Sequence, residues 1–163
     1  MKKLIVLLLV LLPMGAFSQE TKFAYVDYME VYNVMPELEE AETKFAAIRA
    51  QYDESINALQ TEFTAKYEEF MKIEATMPEN LKLRRQQELA ELQDRYNNFL
   101  PQAQQDLEQE YNKLMTPIQE KVINAIKAVG EEQGLAIFNS QVMFHTGPLF
   151  DATALVKTKL GIK

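Results

Sequence analysis

Between Pro36 and Val129, large apolar residues return at every third or fourth position, and this spacing is interrupted once, at Met77-Pro78-Glu79-Asn80. The first stripe runs Leu38, Ala41, Phe45, Ile48, Tyr52, Ile56, Leu59, Phe63, Tyr67 and Phe70. The second runs Leu89, Leu92, Tyr96, Phe99, Ala103, Leu107, Tyr111, Leu114, Ile118, Val122, Ala125 and Val129. The mean step is about 3.56 residues in the first stripe, between the coiled-coil and straight-helix periods, and about 3.6 in the second. A single apolar stripe of this period predicts a helix with one buried face. Two such helices of some forty residues, joined by a tight turn, form an antiparallel hairpin that would reach roughly 60 Å at 1.5 Å rise per residue.

Local signals place the ends. Pro36 suits the first turn of a helix, where its missing N–H costs nothing. Glu37, Glu39, Glu40 and Glu42 follow it, putting negative charge at the positive end of the helix dipole. The first helix is expected to end near Thr76. Pro78 disfavours helical geometry at Met77, and Asn80 is a candidate cap for the second helix. Pro101 should bend that helix, and Pro117 marks another kink or a joint. Gly130 or Gly134 supplies the C-cap.

A lone hairpin of this length buries little and needs a base to hold its ends together. Lys22 to Asp27 reads as a short strand, because Phe23, Tyr25 and Val26 have high β-propensity. Tyr28 to Met35 fits a helical turn or a loop. Leu135-Ala136-Ile137-Phe138 reads as a buried strand and Val142-Met143-Phe144 as another. Asp151 then caps a closing helix that holds Leu155, Val156 and Leu160. The first strand is separated from the later two by the whole hairpin, so pairing them closes the structure at its root. The expected fold class is mainly α with a small β body and a long projecting antiparallel helical hairpin. Residues 19–35 and 117–163 form the body, and 36–116 the hairpin, with its tip near 77–80.

The N-terminus has the layout of a secretory signal. Met1-Lys2-Lys3 is basic, Leu4 to Leu12 is apolar, and Ala16-Phe17-Ser18 offers small residues for cleavage. The run is too short to span a bilayer; a retained anchor is the alternative reading. Cleavage after Ser18 makes 1–18 a signal peptide and 19–163 a single exported domain. No Cys occurs in the chain, which leaves no disulfide and no thiol chemistry. Removing 1–18 leaves 15 basic against 24 acidic residues, a net −9. A nucleic acid is a poor general partner for such a surface.

Catalytic signals are sparse. His145 is the single histidine, and with no Cys a His/Cys metal site cannot be built. Ser55 and Ser140 stand outside any Gly-rich nucleophile elbow. No phosphate-binding Gly loop is present, and the carboxylates sit among Lys, Arg and Gln as solvated helix faces. The reading is a non-enzyme with no cofactor and no metal. What remains is surface. Phe63, Tyr67, Phe70, Met71, Ile73, Met77, Leu81, Leu83 and Leu100 crowd the distal half of the hairpin. They read either as packing of the tip or as a soft contact surface, since Met and aromatic side chains adapt to many shapes. Lys82, Arg84 and Arg85 form a basic triplet there, either an ordinary solvated face or a patch suited to acidic partners or lipid headgroups.

Several segments, in their order, resemble the Skp/OmpH family. Lys22-Phe-Ala-Tyr-Val-Asp27 is similar to its opening strand, and Leu114 to Val129 to its return helix. Gly134-Leu-Ala-Ile-Phe-Asn139 is similar to its second strand, and Asp151-Ala-Thr153 to the start of its closing helix. The Ser18-Gln19 junction and the prolines have the character of Bacteroidetes-type members. The resemblance implies a homotrimer with a β body and three helical tentacles. It implies an ATP-independent periplasmic holdase that binds unfolded outer-membrane proteins and has no catalytic residues. Phe63, Tyr67, Phe70, Met71, Met77, Leu81 and Leu83 are then the candidate client contacts. Phe23, Tyr25, Val26, Leu135, Ile137, Phe138, Val142 and Phe144 become the candidates for the body and its subunit contacts. The charge departs from the family, whose best-known members are basic. The second hypothesis is a structural or adaptor coiled-coil protein of the envelope that binds one folded partner.

Overall fold

The computed structural model describes residues 22–141 and 148–162. The chain opens with β1 (Lys22–Val26) and a short α1 (Tyr28–Tyr32). Asp27 starts α1 by accepting the Glu30 N–H on its carboxylate at 3.0 Å, the usual use of an Asp at an N-cap. Of the ambiguous segment after the first strand, Tyr28–Tyr32 is therefore helical, and Asn33 to Met35 form a turn into the next helix.

Two long helices follow, α2 (Pro36–Ile73) and α3 (Glu79–Gln133). A single 3₁₀ turn at Glu74–Thr76 and Met77-Pro78 join them. Pro36 occupies the first turn of α2 as expected. The start of α3 is different from the expectation at Asn80. Pro78 is the cap residue, and its carbonyl accepts the N–H groups of Leu81 and Lys82 at 3.0 and 2.9 Å. Asn80 already lies inside the first turn. Pro101 and Pro117 fall within one unbroken helix of 55 residues, so Pro117 is not a break between hairpin and base. A proline removes a single backbone bond, and the helix is held on both sides of Pro117 by buried Met115 and Ile118.

Gly134 ends α3 in the left-handed region at φ 63°, a conformation that costs other residues about 1–2 kcal/mol. Gly130 has a separate reason to lack a side chain. A Cβ there would lie 3.0 Å from the Leu135 carbonyl oxygen, where the chain turns back against the helix.

β2 (Leu135–Asn139) returns beside β1 in parallel, with Ala24 opposite Ile137 and Tyr25 opposite Phe138. β3 (Phe150–Asp151) lies parallel on the other edge, giving the order β2-β1-β3. α4 (Thr153–Lys159) closes the fold. The crossover that parallel strands require is here the entire hairpin. The strand expected at Val142–Phe144 lies outside the described residues, as do 1–18 and His145. The third strand of the described sheet is Phe150–Asp151, which carries too few residues to show a period.

The core sits at the root of the hairpin. Val26, Val31, Met35, Ala41, Met115, Ile118, Val122, Ala125, Val129 and Val156 form one buried cluster. It joins β1, both short helices and the proximal parts of both long ones. Along the shaft beyond this cluster, buried side chains are sparse: Phe70, Leu92 and Ala103 among the described residues. The fold is mainly α with a small β body, as the stripes and short strands predict.

Candidate functional site

The shaft is antiparallel and close to constant in register. Glu37 pairs with Lys121, Phe45 meets Tyr111 edge-on at 5.3 Å, and the Tyr52 hydroxyl donates to Asp106 at 3.2 Å. Lys82 pairs with Glu74 at 2.8 Å beside the turn. Paired helices can hide only the seam between them, so one line of positions is half-buried and the rest face solvent.

On the distal half, the apolar residues exceed what the seam can cover. Leu59, Phe63, Tyr67 and Met71 are spaced by four, and a row of that spacing drifts around a helix of 3.6 residues per turn. Leu59 and Phe63 are half-buried, but Tyr67 is 46% and Met71 51% exposed. Phe63 and Tyr67 stack at 6.1 Å along this row. The seam passes instead to Phe70, only 7% exposed. Ile73, Leu81 and Leu83 add open apolar surface around the turn, Leu83 at 53%. Phe70 and half-buried Met77 line a narrow cleft inside the tip with Leu89. Of the seven nominated contacts, Tyr67, Met71, Leu81 and Leu83 face outward, Phe63 is half covered, and Phe70 and Met77 point inward.

The basic triplet is largely paired. Arg85 bonds Glu88 at 2.8 Å and Lys82 bonds Glu74. The Glu74 hydrogen bond raises the Lys82 pKa. Arg84 alone of the three meets no carboxylate among the described residues.

The sheet has one covered face and one open face. Ala24 and Val26 point into the core, and Ile137 packs with them. Phe23 and Phe138 pack on the outer side with ring centroids 5.9 Å apart and planes tilted by 37°, yet they are 55% and 39% exposed. Parallel sheets are normally covered on both faces. Beside Phe138, an open groove of about 340 Å³ is lined by Val26, Tyr28, Ile123, Ile126 and Ile137. Ile123 and Phe150, both exposed, were not singled out from the sequence. Ile123 lies off the stripe beside Val122, a second apolar flank that the periodicity could have shown.

A hydrogen-bond network clamps the two ends of the chain together. Buried Thr153 accepts the Asp27 N–H on Oγ1 at 3.0 Å, and its own N–H donates to Asp151 at 2.9 Å. The Thr153 hydroxyl bond, helped by that N–H and the Tyr25 hydroxyl, holds the Asp151 carboxyl below the usual aspartate range. Burial, then the Asp151 charge, raises Tyr25. These residues are structural ties. Among the described residues, no group of three or more His, Cys, Asp or Glu is placed to hold a metal ion. No helix among them is long and apolar enough to cross a membrane.

A family model described as "Outer membrane protein (OmpH-like)" matches residues 22–160. No curated protein matches the chain significantly. A solved structure from Caulobacter crescentus CB15, provisionally named an outer membrane chaperone (OmpH-like), superposes with a TM-score of 0.73. The match is 11% identical and covers 86% of this chain and 83% of that one. At that identity the likeness is one of fold.

Proposed function

The chain belongs to the OmpH-like family, and on that premise we propose that it is an ATP-independent periplasmic holdase for unfolded outer-membrane proteins. The observation that carries the reading is the distal apolar surface. Tyr67, Met71, Ile73 and Leu83 are each more than two-fifths exposed on a hairpin that has a covered seam available and does not use it for them. Apolar side chains left outside a seam suit contact with another apolar chain. Met and Tyr accept many partner shapes, which a protein with many clients needs. Residues 1–18, as a cleaved signal, would deliver the protein to the periplasm.

The working unit is a homotrimer joined through the open sheet face and the groove beside it. Phe23, Phe138 and Ile123 would be covered by neighbouring copies, which would enlarge a core that is small for one subunit. Lipid headgroups are a secondary contact, because Lys82 and Arg85 are already paired and Arg84 alone of the triplet has no carboxylate partner among the described residues.

The test is aggregation of a urea-denatured β-barrel protein diluted into buffer without ATP. The mature chain at stoichiometric ratio should suppress light scattering. Unchanged scattering at several-fold excess would remove the holdase reading. Recovery of a single folded partner from envelope extracts would favour an adaptor in its place.

A further inference from the structure

The hairpin carries nearly all of the protein's acidity, and the carboxylates border an apolar groove. Between residues 36 and 116 there are 17 acidic and nine basic side chains, a net −8. The remainder of the exported chain is close to neutral, at −1. Midway along the shaft, an open groove of about 730 Å³ is lined by residues of both α2 and α3. Ala58, Leu59 and Phe99 form its apolar surface, with Glu62 and Arg95 on its walls.

The flanks of this groove are acidic. Glu54 stands one turn before Ala58 on α2. Glu91 and Asp94 stand one turn before Arg95 and Asn98 on α3. Residues four apart share a helix face at about 5–6 Å. All three are exposed, and none pairs with a cation among the described residues. Glu62 is partly offset by Lys66 at 3.7 Å. Arg95 is the one opposing charge on the walls. These separations are shorter than the Debye length of about 8 Å at physiological ionic strength, so salt does not erase the local field.

We propose that this groove selects unfolded segments in which apolar residues alternate with Lys or Arg. The apolar side chains would lie on Leu59 and Phe99, and the cations would reach Glu54, Glu91 and Asp94. An acidic segment of equal hydropathy would meet the same contacts against an opposing field. The inference rests on the holdase reading and names the class of client segment that the shaft prefers.

The experiment uses the full mature chain and two labelled unfolded polypeptides. They have the same length and the same Leu and Phe content. One has Lys and the other Glu at the intervening positions. Fluorescence anisotropy should give about tenfold tighter binding of the Lys probe at low ionic strength, the low end of electrostatic steering effects. The two affinities should converge near 1 M salt, where the Debye length is about 3 Å. The triple variant E54Q/E91Q/D94N should keep its binding of the Glu probe or improve it, and lose most of the preference. Equal affinities for the wild-type chain, or tighter binding of the Glu probe, overturn the charge selection and leave the holdase reading standing. An undiminished preference in the triple variant overturns the groove as its source. Binding of neither probe overturns both readings together.

Discussion

Thr153→Val replaces a buried hydroxyl by a methyl of nearly the same shape, and so isolates the tie between the two ends of the chain. In the wild-type protein the hydroxyl accepts the Asp27 N–H at 3.0 Å across 126 positions of sequence. Valine leaves that partly buried N–H without its acceptor, which costs about 1–3 kcal/mol. A central value of about 2 kcal/mol lowers Tm by roughly 4–8 °C for a chain of this size. Thr153→Ser keeps the hydroxyl and loses one methyl at 4% exposure, for about 1 kcal/mol. Serine should therefore be the milder change. The pH dependence supplies a second readout. Thr153 holds the Asp151 pKa down. A depressed carboxyl contributes stability that is present above its unfolded pKa and lost as pH falls through its folded pKa. The deficit of Thr153→Val should be largest at neutral pH and shrink as the solution is acidified below about pH 4. Urea denaturation followed by far-UV circular dichroism, at one fixed protein concentration, measures all three proteins. Wild-type stability in Thr153→Val, or a larger loss in Thr153→Ser, would refute the reasoning.

Val122 is fully buried in the root cluster; Val122→Ala should cost about 2–3 kcal/mol from lost transfer energy and the cavity left behind, read by the same urea titration. Gly134→Ala should cost about 1–2 kcal/mol because of the positive φ, while leaving the mass in solution unchanged on a light-scattering column. On that column the mature wild-type chain should give the mass of three subunits. Phe23→Ser with Phe138→Ser should shift it toward one, whereas a wild-type monomer would count against assembly through the open sheet face.

The hairpin was legible because packing two helices against each other forces burial to follow the helical period, and that period is written in the stripes. Val122, Ala125 and Val129 are stripe positions and core positions alike. The stripe misleads at Tyr67, because a four-residue row leaves the seam, and Phe70 takes its place. It also gives no warning that α3 would continue through Pro117 without a break, since the packing of Met115 and Ile118 outweighs one missing backbone bond. β3 was missed because two residues have no alternation to read. Its position is fixed from outside, by pairing with Ala24 and Tyr25 and by the Ala152 N–H donating to the Tyr25 carbonyl at 2.8 Å. The basic triplet reads as +3 along the chain. The turn folds Glu74 back onto Lys82, and one helical turn brings Glu88 to Arg85, so the local charge depends on geometry that composition does not carry.

The central claim is that the exposed distal apolar surface holds the unfolded chain while the sheet end joins subunits. A photo-crosslinking amino acid placed at Met71, Leu83 or Ile123 of the mature protein, irradiated in the presence of a denatured β-barrel protein, tests both halves at once. The account predicts client adducts from positions 71 and 83, and adducts to a second copy of this chain from position 123. Client adducts confined to position 123, or none from the hairpin while the client stays soluble, would contradict it.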